Sequence, residues 1–311
     1  MRHFLSKLLC FFLVLPFGWL LLFCAAIVSP DIESHFIAKE KNWGFVNAKT
    51  SEWADIRDSL NMDVVFFGSS TCYSGVDPQA FKSSGIEAFN FCSSAQAIPH
   101  SVSLIKALTE DQVPQILVLD VYPKAWGNES ISSEPVLDWI VNGNLWDIHW
   151  KIAYVNLTAV SRSPFAAMAL LYFPLRRLIS PAGERAAKDP MGQYYGRGFV
   201  FRTFPSLENI PSEQPTAVNM SNAECEAFAS LVGLCHKKGI ELLLLNPPQL
   251  IEEEFVKPYC MEGHVWIEGN DWPGAKSPHL YYDDHHLVGK GAQQYSQWLV
   301  TQVKARAKSL R

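Results

Sequence analysis

Short apolar runs alternate with helical patterns through most of the chain. The first run, Val64–Phe67, ends in a glycine-serine turn at residues 68–70, and further runs lie at residues 88–91, 116–119 and 242–245. Four apolar residues between turn signals are typical of strands buried on both faces. The sequence therefore predicts an α/β fold, a three-layer sandwich with a central parallel sheet covered on both faces.

Two helices near the end of the chain have clear sequence signals. Ser221 and Glu224 match a capping box, and a basic last turn leads to Gly239, which predicts a helix between these points. A final helix is predicted from one apolar face, formed by Ala292, Tyr295, Leu299 and Val303.

The alternation lapses between about residues 127 and 215, where Trp, Pro and Gly are frequent. We predict an insertion or cap over the strand ends in this region. Its apolar patch, residues 165–175, is too short to span a bilayer, and we favour core packing over the membrane-surface contact that Arg176 and Arg177 would also suit.

The first 30 residues are predicted to form a membrane anchor. Residues 8–28 carry no charge, and as a helix they would extend about 30 Å, the thickness of the hydrocarbon core. Basic residues precede this stretch and acidic residues follow it, so the N-terminus is expected in the cytoplasm. A cleaved signal peptide is the alternative, but its apolar region would normally be shorter.

We expect the rest of the chain on the extracytoplasmic face of the cytoplasmic membrane, as a single-pass protein. Residues 31–61 are polar and predict a helical stalk, and residues 62–311 predict the α/β domain. A net charge of -5 and the lack of any run of Lys and Arg argue against a nucleic-acid partner.

Seven cysteines are present, and five lie outside the apolar N-terminal segment. Their number is odd and their spacing matches no zinc site, so we expect them to serve packing rather than a disulfide framework. Cys225 and Cys235 are ten residues apart on one predicted helix and are not expected to pair.

Two loops carry the residue types needed for nucleophilic catalysis. Ser70 ends the turn after the first strand, at the edge of a parallel sheet where ligands gather. Asp283 lies three residues before His286, directly ahead of the final helix. This spacing allows the carboxylate to accept one imidazole N–H and leaves the other ring nitrogen as a base.

Alternatives remain open in the second loop. Asp283 or Asp284 could cap the final helix, Asp284 could orient His286, and His285 could replace His286 as the base. A metal site would use Asp283, Asp284, His285, His286 and His279. We disfavour it because no second group of ligands accompanies it, and we expect no metal and no cofactor.

The early serine, the late Asp-x-x-His and the α/β alternation together resemble the SGNH, or GDSL-type, hydrolase superfamily over residues 63–303. The resemblance implies an SGNH hydrolase-like, flavodoxin-like sandwich in which Ser70 is the nucleophile and Asp283 and His286 complete the triad. No cofactor is implied.

The second motif of that superfamily is an Asn followed five residues later by a Gly whose backbone N–H joins the oxyanion hole. Asn90 and Ala95 occupy these positions here. The resemblance implies backbone N–H groups of Ser70 and Ala95 as oxyanion donors, with Asn90 in a supporting role.

The third motif, Gly-x-Asn-Asp, is missing. The strand at residues 116–119 continues instead through Asp120 and an aromatic-Pro-x-x-Trp sequence ending at Trp126. With the predicted anchor, this layout resembles the membrane-anchored branch that includes the D-alanyl-lipoteichoic acid biosynthesis protein. Members of that branch add or remove acyl groups on cell-envelope polymers.

The resemblance thus implies a serine esterase or O-acyltransferase acting on cell-envelope or extracellular polysaccharide. Its partners would be an acylated polysaccharide or lipid-linked acyl donor, the membrane, and a membrane-bound acyltransferase. The missing third motif supports a second hypothesis, a catalytically inert envelope assembly or scaffold protein with the same fold.

Overall fold

The computed structural model describes residues 44–126, 134–142, 148–161, 191–212 and 217–307, together with residues 7, 17, 18, 20 and 21. Apart from those five positions the predicted anchor lies outside the described residues, as does the apolar patch at 165–175. Within the described part of the chain, no helix combines the length and the apolar character needed to cross a bilayer.

The core of the domain is a five-stranded parallel sheet with the strand order β2-β1-β3-β7-β9. The strands in the described residues are β1 Val64–Phe67, β2 Ala88–Asn90, β3 Ile116–Asp120, β4 Gly192–Gly196, β5 Phe199–Arg202, β6 Ala217–Val218, β7 Glu241–Asn246, β8 Glu254–Phe255 and β9 Val265–Glu268. The predicted α/β fold with a central parallel sheet is confirmed. Strand β9 was not predicted, because its sequence mixes exposed and buried positions.

Helices cover both faces of the sheet. Their bounds are α1 Val46–Ile56, α2 Ser70–Tyr73, α3 Pro78–Lys82, α4 Ile98–Asp111, α5 Glu134–Asn142, α6 Ile148–Ser161, α7 Asn222–Lys238 and α8 Gly289–Arg306. Successive strand residues point to opposite faces: Val65 and Phe67 pack with α1, α4, α5, α6 and α7, whereas Val64 and Phe66 pack with α3 and α8. This arrangement makes three layers.

Helix α1 belongs to the folded domain, although the sequence placed it in the stalk. Val46 and Trp53 are fully buried, and the Trp53 ring meets the edge of Phe91 with centroids 4.9 Å apart. Lys49 is also buried and donates to the carbonyl of Cys92 at 2.5 Å. The buried positions 46, 49, 50 and 53 recur at helical spacing on one face, and two of the four are polar, which obscures the pattern in the sequence.

Helix α7 matches its predicted ends. Ser221 Oγ accepts from the backbone N–H of Glu224 at 3.3 Å, and the Glu224 carboxylate accepts from the backbone N–H of Ser221 at 2.8 Å. Gly239 follows the helix in the left-handed conformation, with φ 71°. These signals are local, which explains why the sequence alone located them.

The prediction that the cysteines serve packing alone is wrong for four of them. Disulfides join Cys72 to Cys92 and Cys225 to Cys260, while Cys235 is buried and free. The first pair forms because both residues follow adjacent parallel strands, β1 and β2, at the same edge of the sheet. The expectation that Cys225 and Cys235 do not pair is confirmed.

Candidate functional site

Ser70 is placed by a tight turn at the carboxyl end of β1. Gly68 adopts φ 151°, and a Cβ at this position would lie 2.3 Å from Cβ of Asp120, so a side chain has no room there. Helix α2 then begins at Ser70. The turn therefore brings the serine to the edge of the sheet where the late loop arrives.

The structure brings the three predicted catalytic residues into one hydrogen-bonded chain. Nε2 of His286 lies 2.7 Å from Oγ of Ser70, and Nδ1 of His286 lies 2.7 Å from Oδ2 of Asp283. Both distances are within the range that nucleophile, base and orienting carboxylate need for proton transfer. Ser70 is positioned to give its proton to His286 while Asp283 holds the imidazole tautomer.

Asp283 does not cap the final helix. Its Oδ1 accepts from the backbone N–H groups of His285 and His286, at 2.9 and 2.7 Å. Helix α8 starts later, at Gly289, and its N-cap residue, Val288, makes no side-chain hydrogen bond to the helix. The carboxylate therefore shapes the turn that presents His286.

The surroundings of His286 favour its neutral form. Burial lowers its pKa, and the nearby His285 and Arg202 lower it further, which together outweigh the hydrogen bond that the ring donates to Asp283 and the charge of that carboxylate. The ring also stacks on Tyr282 with a 2° angle between planes. Burial raises the pKa of Asp283, but the hydrogen bond and charge of His286 outweigh this effect, so the pKa lies below its usual value. A neutral base beside a carboxylate is the state that acyl transfer requires.

Asp284 orients His285, not His286. Nδ1 of His285 lies 2.6 Å from Oδ1 of Asp284, and the other oxygen of Asp284 accepts from Nζ of Lys124 at 2.8 Å. Of the two histidines, His286 is the one whose ring nitrogen contacts the hydroxyl of Ser70.

Asn90 braces the loop behind the serine. Its Nδ2 donates to the carbonyls of Cys72 and Val76, at 3.0 and 3.1 Å, and its Oδ1 accepts from the backbone N–H of Cys92 at 3.0 Å. The whole amide is thus used within the scaffold. Ala95 adopts φ 51°, the left-handed region in which glycine is favoured.

Asp120 organises the turn that carries Ser70, and sequence reasoning did not assign it this role. Its Oδ2 accepts from the backbone N–H and the hydroxyl of Ser69, at 3.2 and 3.0 Å, and from the hydroxyl of Thr71 at 2.7 Å. Its Oδ1 accepts from the N–H of Tyr122 at 3.0 Å. Burial raises its pKa, although these four hydrogen bonds oppose the change. The signal for this role in the sequence is an acidic residue, Asp120, placed directly after the buried apolar run at 116–119.

Three of the five residues considered for a metal site lie close together in the structure. Ligand atoms of Asp283, His285 and His286 lie within 4.8 Å of one another, a spacing that could hold a cation. Both ring nitrogens of His286 already have partners, so a metal would have to displace Ser70 or Asp283. His279 lies elsewhere and bonds the carbonyl of Leu207 at 3.2 Å.

Comparison with known proteins adds little to this geometry. No family model matches the sequence, and no curated protein matches it. A similar solved structure is a Bacteroides fragilis protein provisionally described as an acylhydrolase, with 12% identity, a TM-score of 0.38, and alignment over 88% of this chain and all of the other. A likeness this distant shows neither a family nor an activity for this chain.

Proposed function

We propose that the protein is a serine-dependent acyl esterase or O-acyltransferase of the SGNH type. The observation that carries this proposal is the hydrogen-bonded chain from Ser70 Oγ through His286 to Asp283, with both links at 2.7 Å. Three residues of the right chemistry, in the right order and in contact, are the arrangement that activates a hydroxyl nucleophile.

In this mechanism His286 takes the proton of Ser70, whose Oγ attacks an ester carbonyl. Backbone N–H groups of Ser70 and Ala95 are proposed to stabilise the oxyanion, a contribution worth about 10²–10³ in rate per donor. The leaving group departs and an acyl-enzyme remains. Water or a sugar hydroxyl then receives the acyl group, which decides between hydrolysis and transfer.

We further propose that the substrate is an acylated cell-envelope or extracellular polysaccharide, or a lipid-linked acyl donor. Two disulfides are usual in oxidising compartments and support a location outside the cytoplasm. The predicted anchor would hold the site near the membrane surface, beside a membrane-bound acyltransferase partner.

Labelling with a fluorophosphonate probe tests the nucleophile. We expect the full chain to be labelled, Ser70→Ala to lose the label, and Ser83→Ala to retain it, because Ser83 is an exposed serine whose hydroxyl donates to the carbonyl of Gln79 in helix α3. Turnover of a short-chain aryl ester with and without polysaccharide then separates esterase from transferase. A folded protein without label would favour the inert scaffold instead.

A further inference from the structure

Two backbone N–H groups near the nucleophile are without an acceptor. The N–H groups of Ser70 and Ala95 make no hydrogen bond within the part of the chain that the structure describes. The loop that carries Ala95 is tied to the serine turn, because the N–H of Ser93 donates to the carbonyl of Gly68 at 3.1 Å. The two N–H groups therefore come from separate segments, and their separation depends on how firmly those segments are joined.

The backbone of Ala95 is strained, and its neighbours hold it in place. A residue with a Cβ keeps a φ of 51° only where its surroundings impose that conformation. The hydroxyl of Ser93 donates to Oε1 of Gln96 at 2.6 Å and accepts from Nε1 of Trp139 at 3.1 Å. These bonds fix the first residue of the loop, and the contacts of Ser94 fix the next.

Tyr73 links this loop to the nucleophile helix, α2. It lies three residues after Ser70, and its hydroxyl oxygen is 3.3 Å from Oγ of Ser94, the residue directly before Ala95. Both side chains of this contact are buried. The contact joins the helix that begins at Ser70 to the loop that carries Ala95, so it bears on the separation of the two N–H groups.

Arg202, on β5, fixes the orientation of Tyr73. Its Nη2 donates to the Tyr73 hydroxyl oxygen at 2.8 Å, and its guanidinium lies over the Tyr73 ring, 5.3 Å from the centroid. Burial raises the pKa of Tyr73, so the phenol keeps its proton. Because arginine can only donate, that proton is left for Oγ of Ser94. The chain of hydrogen bonds thus runs from Arg202 through Tyr73 to Ser94.

We propose that Tyr73 and Arg202 are positioning residues of the oxyanion hole, a role that rests on the proposed acyl transfer. Arg202 orients Tyr73, which holds Ser94 and with it the strained backbone of Ala95. The N–H of Ala95 then stays at a distance from the N–H of Ser70 that one oxyanion can bridge. Since the carbonyl oxygen becomes charged only as the ester reacts, this support accelerates acylation without tightening the binding of the ester.

Two variants of the full chain remove the link between the segments. Tyr73→Phe deletes the hydroxyl, and Ser94→Ala deletes its partner while leaving the bond from Arg202 to Tyr73 in place. With p-nitrophenyl acetate, we expect the saturating rate of the acylation burst to fall about 10-fold in each variant. The ester concentration that gives half of this rate should stay within about 2-fold of wild type.

Binding of phenylboronic acid provides a second readout, because its tetrahedral adduct with the serine places a negatively charged group where the oxyanion forms. Its Kd should rise by about the same 10-fold in Tyr73→Phe and Ser94→Ala. Tyr295→Phe is the matched control. It removes a buried tyrosine hydroxyl that has no hydrogen-bond partner in the described part of the chain, and it should leave both measurements unchanged.

The double variant distinguishes positioning from a general weakening of the fold. Tyr73→Phe and Ser94→Ala remove the same hydrogen bond, so the combined protein should remain about 10-fold below wild type instead of falling about 10²-fold. Unchanged burst rates in the folded single variants, losses that multiply in the double variant, or a boronate Kd that does not follow the burst rate would overturn the inference. A wild-type protein without a Ser70-dependent burst would instead refute the proposed function.

Discussion

Oγ of Ser70 and Nε2 of His286 lie 2.7 Å apart although 216 positions separate the two residues in the sequence. The serine follows β1, the second strand of the sheet, and the histidine precedes the final helix, α8, which packs on one face of that sheet. The contact therefore exists only in the completed fold, which brings the serine turn after β1 against the loop before α8.

Asp283→Asn should abolish most of the activity while preserving the fold. An amide can still accept the two backbone hydrogen bonds that shape the turn, but it favours the wrong imidazole tautomer of His286. We expect kcat for an aryl ester to fall about 10⁴-fold with little change in thermal unfolding. Asp271→Asn, an exposed site, should leave both unchanged. Near-normal kcat in Asp283→Asn would exclude the triad.

The pH dependence should report the lowered pKa of His286. The base must be neutral, so the rate is lost as the pH falls through that pKa, which burial holds below the usual value of about 6.5. For an aryl ester, kcat/KM should rise along an acid limb with its midpoint below about 6.5 and then level off. A midpoint above that value would show that His286 is not the base.

Asp120→Asn should weaken both the fold and the serine turn. The amide nitrogen cannot accept from the N–H of Ser69 in place of Oδ2, which leaves a buried donor without a partner. We expect the free energy of unfolding to fall by about 1–3 kcal/mol and kcat to fall more than KM changes. Thr71→Val removes one hydrogen bond to the same carboxylate and one to the hydroxyl of Ser69, but it leaves the backbone N–H of Ser69 paired and should produce a smaller loss. Equal kcat in the wild type, Asp120→Asn and Thr71→Val would argue against a positioning role for Asp120.

Removing each of the two disulfides in turn should distinguish an effect on stability from an effect on catalysis. Replacing Cys72 and Cys92 together by serine removes the link between the nucleophile helix, α2, and the loop after β2, whereas replacing Cys225 and Cys260 changes a site on α7 and the segment before β9. Each double variant should lose about 2–4 kcal/mol of stability in denaturant unfolding. Only the first should also slow the acylation burst, and an equal burst in both would count against that link as a support for Ser70.

Local signals in the sequence were sufficient for much of the architecture. The apolar runs of β1, β3 and β7 predicted buried strands, and the capping box of α7 located a helix end, because burial pattern and capping depend on residues a few positions apart. The Asp283–His286 pair was predictable for the same reason, since a three-residue spacing closes within one turn.

The tertiary structure decided which distant residues meet. The strand order β2-β1-β3-β7-β9 brings the ends of β1, β2 and β3 together, which pairs Cys72 with Cys92 and places Asp120 under the serine turn. Lys124 bonds Asp284, which lies 160 positions away in the sequence. Asp284 in turn bonds His285, whereas Asp283 bonds His286. Such contacts follow from how the elements pack, because spacing along the chain carries no information about which strand ends become neighbours.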